Sequence, residues 1–234
     1  MVRHLSLTFE CAGAVRDRNV SIRSAVIAGW TGRDKVALEK HIAELEALGV
    51  KRPASTPVFY RVAAARLTTE DAIEAVGGAS SGEAEFVLLR DDGRIWVGAG
   101  SDHTDREVEA YSVSVSKQIC DKPIARHFWL LDEVAPHWDR LMLRSWIIEN
   151  GQRSLYQEGT VSAMLSPSEL MAGHADAATL PDGKLPEGTL MFCGTLVAHG
   201  GIRPASRFEF EIEDPVLGRR IRHGYAITVL PMAG

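Results

Sequence analysis

The stretch SGEAEFVLLRDDGRIWVGAGSDHTDR, residues 81–106, decides how the rest of the chain is read. EAEFVLL (83–89) and RIWVGAG (94–100) are apolar runs of strand length, and the Asp-Asp-Gly between them is turn chemistry, so the stretch predicts two consecutive strands. Side chains alternate between the faces of a strand, which puts Glu83 and Glu85 on the same one. Two carboxylates that close repel unless water screens them or a cation lies between, and hard divalent ions such as Mg²⁺ and Mn²⁺ prefer oxygen ligands. Alone, an ExE pair reads more simply as an exposed strand edge, where charge blocks edge pairing. Asp102 changes that reading: it follows the second strand through a Gly-rich approach that would let the backbone come close to a ligand, and it offers a third carboxylate. His103, Thr104, Asp105 and Arg106 crowd the same turn with hydrogen-bonding groups and a cation.

Strand patterns dominate outward from this stretch. Leu5, Leu7 and Phe9 alternate in LSLTFE, and AVIAG (25–29), RLMLRSWII, SLYQEGTV, TLMFCGTLVA, RFEFEIE and YAITVL are strand-like runs bounded by Gly, Pro, Asp and Asn. RPASTPVFYRV reads as a loop feeding a strand. Helical spacing is clearest over 34–48, where Leu38, Ile42, Leu45 and Leu48 share a side and Gly49 stands ready to end the helix. LTTEDAIEAVGG predicts a short capped helix stopped by paired glycines. Two further helices are expected around EVEAYSVSVSKQ and SPSELMAG, the latter capped by Ser166. The stretch 176–187 is expected to be a surface loop. The fold class is α+β, mainly β, in one domain over 1–234: residues 1–70 form an N-terminal part and 71–234 a β core.

Composition narrows the function. The 234 residues are 45% hydrophobic and carry a formal charge of −5 from interspersed acids and bases. No basic block offers a nucleic-acid footprint, so nucleic acid is not an expected partner. No run approaches the roughly 18 apolar residues of a membrane span, and the start lacks a signal-peptide core, so a cytoplasmic enzyme is expected. Cys11, Cys120 and Cys193 are few, odd in number and far apart, which fits buried small hydrophobes better than a disulfide framework or a zinc motif.

The order of these motifs resembles the fumarylacetoacetate hydrolase superfamily, in which an ExE pair is followed by NDxTxRD and then a lysine. Here they are Glu83-Ala84-Glu85, Ser101-Asp102-His103-Thr104-Asp105-Arg106-Glu107 and Lys117. Downstream, ARHFWLLDEV, then Asn150, Gly151, Gln157 and Thr160, then EGTLMFCGTLVAHGG with Gly188, Gly194 and Thr195, and finally FEFEIEDPVLGRRIRH resemble later family segments in order. GSDHTDR and YQEGT are similar to the wording of the branch known as DUF2848. The resemblance spans about residues 25–230. It implies a mixed β-sandwich or roll with a few peripheral helices, a homodimer, and Mg²⁺ or Mn²⁺ held by Glu83, Glu85 and Asp102. It also implies that Lys117 contacts the substrate, that Arg106 supports its negative charge, and that Gly194 and Thr195 line its site.

The superfamily's His-x-x-Glu dyad, carried on a mobile lid, corresponds to His41-Ile42-Ala43-Glu44. Three-residue spacing on a helix brings that pair together, and a carboxylate beside an imidazole favours general-base function. Residues 29–61 are the candidate lid. His103, where relatives carry a small or apolar residue, is a second candidate base, although alternation equally allows it to point into the core. Arg61 stands where the family often has a lysine near the substrate; for Arg61 and Tyr60 a structural role is equally open. The implied reaction is hydrolytic C–C cleavage of an acylpyruvate or related diketo acid through a metal-stabilised enolate. Three alternatives stand beside it: hydrolysis of an amide or lactone; decarboxylation, isomerisation or hydration on the same platform; and a non-catalytic, metal-stabilised binding protein.

Overall fold

The structure, a computed structural model, describes residues 2–47, 52–53, 55–174 and 183–233, with the side chains at 41, 44, 45 and 47 outside the described part. The chain opens with β1 (Arg3–Cys11) and β2 (Ala14–Ile22), an antiparallel hairpin. β2 has no counterpart in the sequence reading because Arg16, Asp17 and Arg18 interrupt it; only Val20 and Ile22 at its end turn inward, and pairing with β1 makes it an edge strand. β3 (Ser24–Gly29) follows, then α1 (Lys35–Ala47) and β4 (Val58–Val62), antiparallel to β3. Asp34 starts α1 by accepting from the backbone N–H groups of Val36 and Ala37 at 2.9 and 3.0 Å. Gly49, the expected stop of this helix, lies outside the described residues, as does most of the expected surface loop over 176–187.

The segment LTTEDAIEAVGG is a correction. It forms β5 (Leu67–Thr68) and β6 (Ala72–Val76) rather than a helix. β6 runs parallel to the C-terminal strand, with Ala72 opposite Ala226 and Val76 opposite Leu230. That ladder satisfies its backbone, and strand alternation buries Ile73 and Ala75 while Glu74 faces solvent. Long-range pairing overrides a helical preference worth only tenths of a kcal/mol per residue.

β7 (Ser80–Ser81) leads into the pair read first, β8 (Ala84–Asp91) and β9 (Arg94–Ser101), which are antiparallel with Glu85 opposite Gly100. β10 (Thr104–Asp105) pairs back onto β7. The expected helix after it splits at Ser112 into α2 (Arg106–Tyr111) and α3 (Val113–Ile119). β11 (Lys122–Pro123) pairs with β5, and β12 (His127–Leu130) runs into the one-turn α4 (Leu131–Val134). β13 (Met142–Glu149), β14 (Gln152–Thr160), α5 (Pro167–Gly173), β15 (Thr189–Thr195), β16 (Arg207–Asp214) and β17 (Arg219–Leu230) complete the order.

Two sheets hold the molecule. Eight strands run in the order β2-β1-β12-β9-β8-β15-β3-β4, and five in the order β14-β13-β16-β17-β6. Side chains from both ends of the larger sheet, Leu5, Leu7 and Val20 at one and Ile27 and Val62 at the other, meet in one apolar cluster with Val87, Leu89 and Phe192, so the sheet curls upon itself. Phe86, Leu88 and Met191 face the other way, against Phe208, Phe210, Ile212 and Tyr225 of the smaller sheet. β8 is therefore buried on both faces, which is why EAEFVLL reads as a continuous apolar run instead of an alternating one. Gly98 and Gly100 serve this packing: a Cβ there would come within 2.6 Å of the Phe128 ring and 2.7 Å of Phe192. Their bareness makes room for aromatic rings of the core, not for a ligand as the sequence reading expected.

Candidate functional site

β8 and β9 begin and end beside each other, and the backbone N–H of Asp102 donates to the Glu83 carbonyl at 3.0 Å, extending their ladder past the strand ends. This brings the carboxylates of Glu83, Glu85 and Asp102 together, with one oxygen from each lying within 4.8 Å of the others. Glu85 and Asp102 are buried, and Glu83, with 17% of its side chain exposed, faces the opening.

The charges around the three are unevenly shared. Lys122 and Lys117 both pair with Asp102: Nζ of Lys122 lies 2.9 Å from Oδ1, and Nζ of Lys117 donates to Oδ2. Arg106 lies 3.2 Å from Glu83, and also donates to Glu109 at 2.7 Å and to the Ser81 hydroxyl at 2.7 Å. Glu85 accepts from the backbone N–H of Gly194 at 2.6 Å. Burial opposes ionisation of Asp102, but the two ammoniums outweigh it and hold the carboxyl well below the usual range. Burial pushes Glu85 well above its ordinary 4.5, and the charges of Asp102 and Glu83 push the same way. Glu83 is also raised by burial, with Arg106 and Lys117 acting against the rise. Burial acts against the Lys117 ammonium, yet Asp102 and Glu83 outweigh it and lift its pKa above the ordinary lysine value. The donor set, three convergent carboxylate oxygens without thiolate or imidazole, fits a hard divalent cation such as Mg²⁺ or Mn²⁺, and Glu85 gains the most from one.

The supporting shell comes from four segments. Gly194 has a left-handed backbone (φ +100°), and a Cβ there would fall 1.8 Å from the Thr31 hydroxyl, so only glycine lets its N–H reach Glu85. The Thr195 hydroxyl donates to the Ala84 carbonyl at 2.7 Å and accepts from Gln157 at 2.8 Å. Gln157 in turn accepts from the Ala84 N–H and the Ser145 hydroxyl at 3.0 and 2.8 Å, pinning the residue between the two glutamates. Tyr60 on β4 is half-buried, its ring 5.9 Å from the Lys117 ammonium; burial raises its phenol, whose oxygen is hydrogen-bonded to the Trp30 indole.

Two of the expected site residues stand elsewhere. His103 is wholly buried and points away from the carboxylates; Nδ1 is 2.9 Å from the Tyr225 hydroxyl and Nε2 2.9 Å from that of Ser80. Burial, with Lys122 and Arg106 nearby, depresses its pKa to about 3, so this ring is neutral and committed at both nitrogens. Arg61 is next to Tyr60 on a strand, so it faces the other way, and its guanidinium donates to the Arg23 carbonyl at 3.2 Å. Cys193 is fully buried and its thiol is pushed well up by burial, as an unreactive core residue would be. His41 and Glu44 lie on α1, but their side chains are outside the described part. Lys122 is the site residue that the sequence reading missed. No local spacing marks it: it reaches Asp102 because β11 is held against β5, more than fifty residues earlier.

Cavities of about 690 Å³ on the outer face of the five-stranded sheet, beside Arg144 and Arg222, and of about 760 Å³ beside Arg33 and Trp138 are lined by other residues. The carboxylate cluster lies apart from both, at the ends of β8 and β9.

Among solved structures, the fold is similar to that of Cg1458 with inhibitor, at a TM-score of 0.66 and 16% identity over 94% of this chain and 84% of that one. It is similar also to 2-keto-3-deoxy-D-arabinonate dehydratase complexed with magnesium and 2,5-dioxopentanoate, at a TM-score of 0.62 and 16% identity over 95% and 79% of the two chains. The apo form of that dehydratase matches at a TM-score of 0.62 and 16% identity, over 92% and 77%. The mainly β architecture with a few short helices is the fold that this chain shares with these neighbours. The family described as "Protein of unknown function (DUF2848)" matches residues 28–225, and the chain belongs to that family. A comparison with curated proteins gives no match. No helix among the described residues is long and apolar enough to cross a membrane.

Proposed function

We propose that this chain is a divalent-metal-dependent enzyme acting on a small oxo-acid, with Glu83, Glu85 and Asp102 as ligands to Mg²⁺ or Mn²⁺. The observation that carries the reading is the convergence of three largely buried carboxylate oxygens within 4.8 Å, walled by Lys117 and Arg106. The dehydratase neighbour, complexed with magnesium and 2,5-dioxopentanoate, supports both the metal and the class of substrate. A bound divalent cation supplies Lewis-acid polarisation of an oxo group.

The chain's own residues do the rest. Lys117 receives the substrate's carboxylate or oxo oxygen and balances charge that develops there. Arg106, tied to Glu83 and Glu109, keeps the wall positive without moving. The Tyr60 hydroxyl, its oxygen engaged by Trp30, keeps its own proton to donate to a substrate oxygen. Gly194 and Gln157 keep the glutamates in place.

The finer reaction we propose is hydrolytic C–C cleavage of an acylpyruvate-like diketo acid, with His41 oriented by Glu44 on α1 as the base that takes a proton from water. His103 is assigned a structural role. Dehydration of a deoxy-keto-acid is the second reading, favoured by the dehydratase neighbour.

Thermal melts with Mg²⁺ or Mn²⁺ test the site. At a hundredfold excess over Kd, the wild type gains about 2.7 kcal/mol, a Tm rise of roughly 5–10 °C, while Glu85→Ala gains nothing. Equal rises in both remove the proposed ligand set. Turnover of acylpyruvates by wild type but not by His41→Ala supports cleavage; water loss from 2-keto-3-deoxy acids retained in that variant selects dehydration.

A further inference from the structure

Asp102 carries two lysines, and the structure holds them differently. Lys122 has no exposed surface; its ammonium donates to Oδ1 of Asp102 and to the His103 carbonyl, and its strand is fastened to β5. Oδ1 is further approached by the Thr104 hydroxyl at 3.3 Å. Lys117 hangs from the last turn of the seven-residue α3, keeps 8% of its side chain exposed, and donates to Oδ2. It also has somewhere to go: the Glu109 carboxylate is 3.9 Å away, and the Tyr60 ring 5.9 Å.

Oδ1 is thus committed to a fixed partner, which leaves Oδ2 as the Asp102 oxygen open to exchange. A cation shared by the three carboxylates competes with the Lys117 ammonium for the lone pairs of Oδ2. In a largely buried recess like charges repel far more than in water, so the two do not share that oxygen on equal terms. Lys122 cannot yield, being enclosed; Lys117 can.

Resting on the metal-site reading above, we propose that Lys117 is the resident counter-ion of Asp102 in the metal-free protein, that a divalent metal ion displaces it, and that the released ammonium becomes the anchor for the carboxylate of an oxo-acid. No covalent bond changes. Metal loading and oxo-acid binding are then linked through one side chain, which fixes their order: the anchor is engaged until the metal arrives. Lys122 meanwhile keeps Asp102 and the turn behind it in place.

The exchange is read without turnover, by two measurements. In calorimetric titrations of metal-free protein with Mn²⁺ alone, Lys117→Met, which lacks the competing cation, is expected to bind on the order of tenfold more tightly than wild type. The Mn²⁺-loaded variant is expected to bind pyruvate more weakly than the loaded wild type. In wild type, whose folding is not in question, acetylation by acetic anhydride read by mass spectrometry is expected to rise at Lys117 on the order of tenfold when Mg²⁺ is added, with Lys122 unlabelled in both states. Mn²⁺ binding to Lys117→Met no tighter than to wild type overturns the exchange. So does Lys117 labelling that Mg²⁺ leaves unchanged in a protein that binds metal; both results leave the metal-site reading standing. A wild type that binds no metal removes the exchange and that reading together.

Discussion

Glu85 lies with 2% of its surface exposed, between Asp102 and Glu83, and its pKa is raised first by burial and then by those two charges. Such a group is protonated more readily in the folded chain than in the unfolded one. The metal-free fold is therefore relieved of this cost at pH below the ordinary 4.5, and bears more of it as pH climbs from 4.5 toward the raised folded value. Glu85→Gln removes the ionisable group while keeping an oxygen for the Gly194 N–H. Metal-free Glu85→Gln is expected to be more stable than wild type at pH 7.5, with a higher Tm, and the two are expected to melt together at pH 4. A variant less stable than wild type at pH 7.5 would show that Glu85 is stabilising as it stands. The residue scale is also where the sequence is most legible: a two-residue interval on a strand fixes a shared face for Glu83 and Glu85, while Asp102 is read from its place after the next strand and Lys117 from the resemblance in motif order. His103 does not, since its neighbour Asp102 faces the recess and only the packed positions of Tyr225 and Ser80 show that the imidazole turns into the core.

The elements divide by whether their signals are local. α5 is written in its own residues: the Ser166 hydroxyl accepts from the Glu169 N–H, the Glu169 carboxylate accepts from the Ser166 N–H at 2.8 Å, and Pro167 opens the first turn. Ser166→Ala is expected to cost about 1 kcal/mol, a Tm drop of roughly 2–4 °C in calorimetry, and an unchanged Tm would mean that tertiary packing alone holds the turn. β6 is the opposite case. Thr69, Glu70 and Asp71 look like a helix start, yet the segment becomes a strand because β17 offers a ladder and the core accepts Ile73 and Ala75. β2 is concealed for a related reason: an edge strand with a charged outer face shows little period-two apolar signal, and it is made by its hairpin with β1.

Across the whole molecule, the curled eight-stranded sheet buries both faces of β8 and opens only at the strand ends, so the carboxylates gather where the sheet stops and α2, α3 and β15 close round it. The resemblance implies a homodimer, and we propose that one forms; sedimentation velocity at micromolar concentration is expected to return twice the mass of the chain, and a single-chain mass across that range would overturn it. By itself, the sequence determined the strand-rich class, the capped helix and the shared face of Glu83 and Glu85, because each rests on spacings of two to four residues that local backbone geometry converts directly into shared faces; Asp102 and Lys117 came from the order of motifs and the resemblance it carries. Only the tertiary structure decided that 72–76 is a strand, that Gly98 and Gly100 make room for aromatic rings, that Arg61 faces away from Tyr60's side, and that Lys122 reaches Asp102. Those outcomes depend on which distant segment supplies the hydrogen-bonding partner or the packing surface, and no interval within the segment itself records that choice.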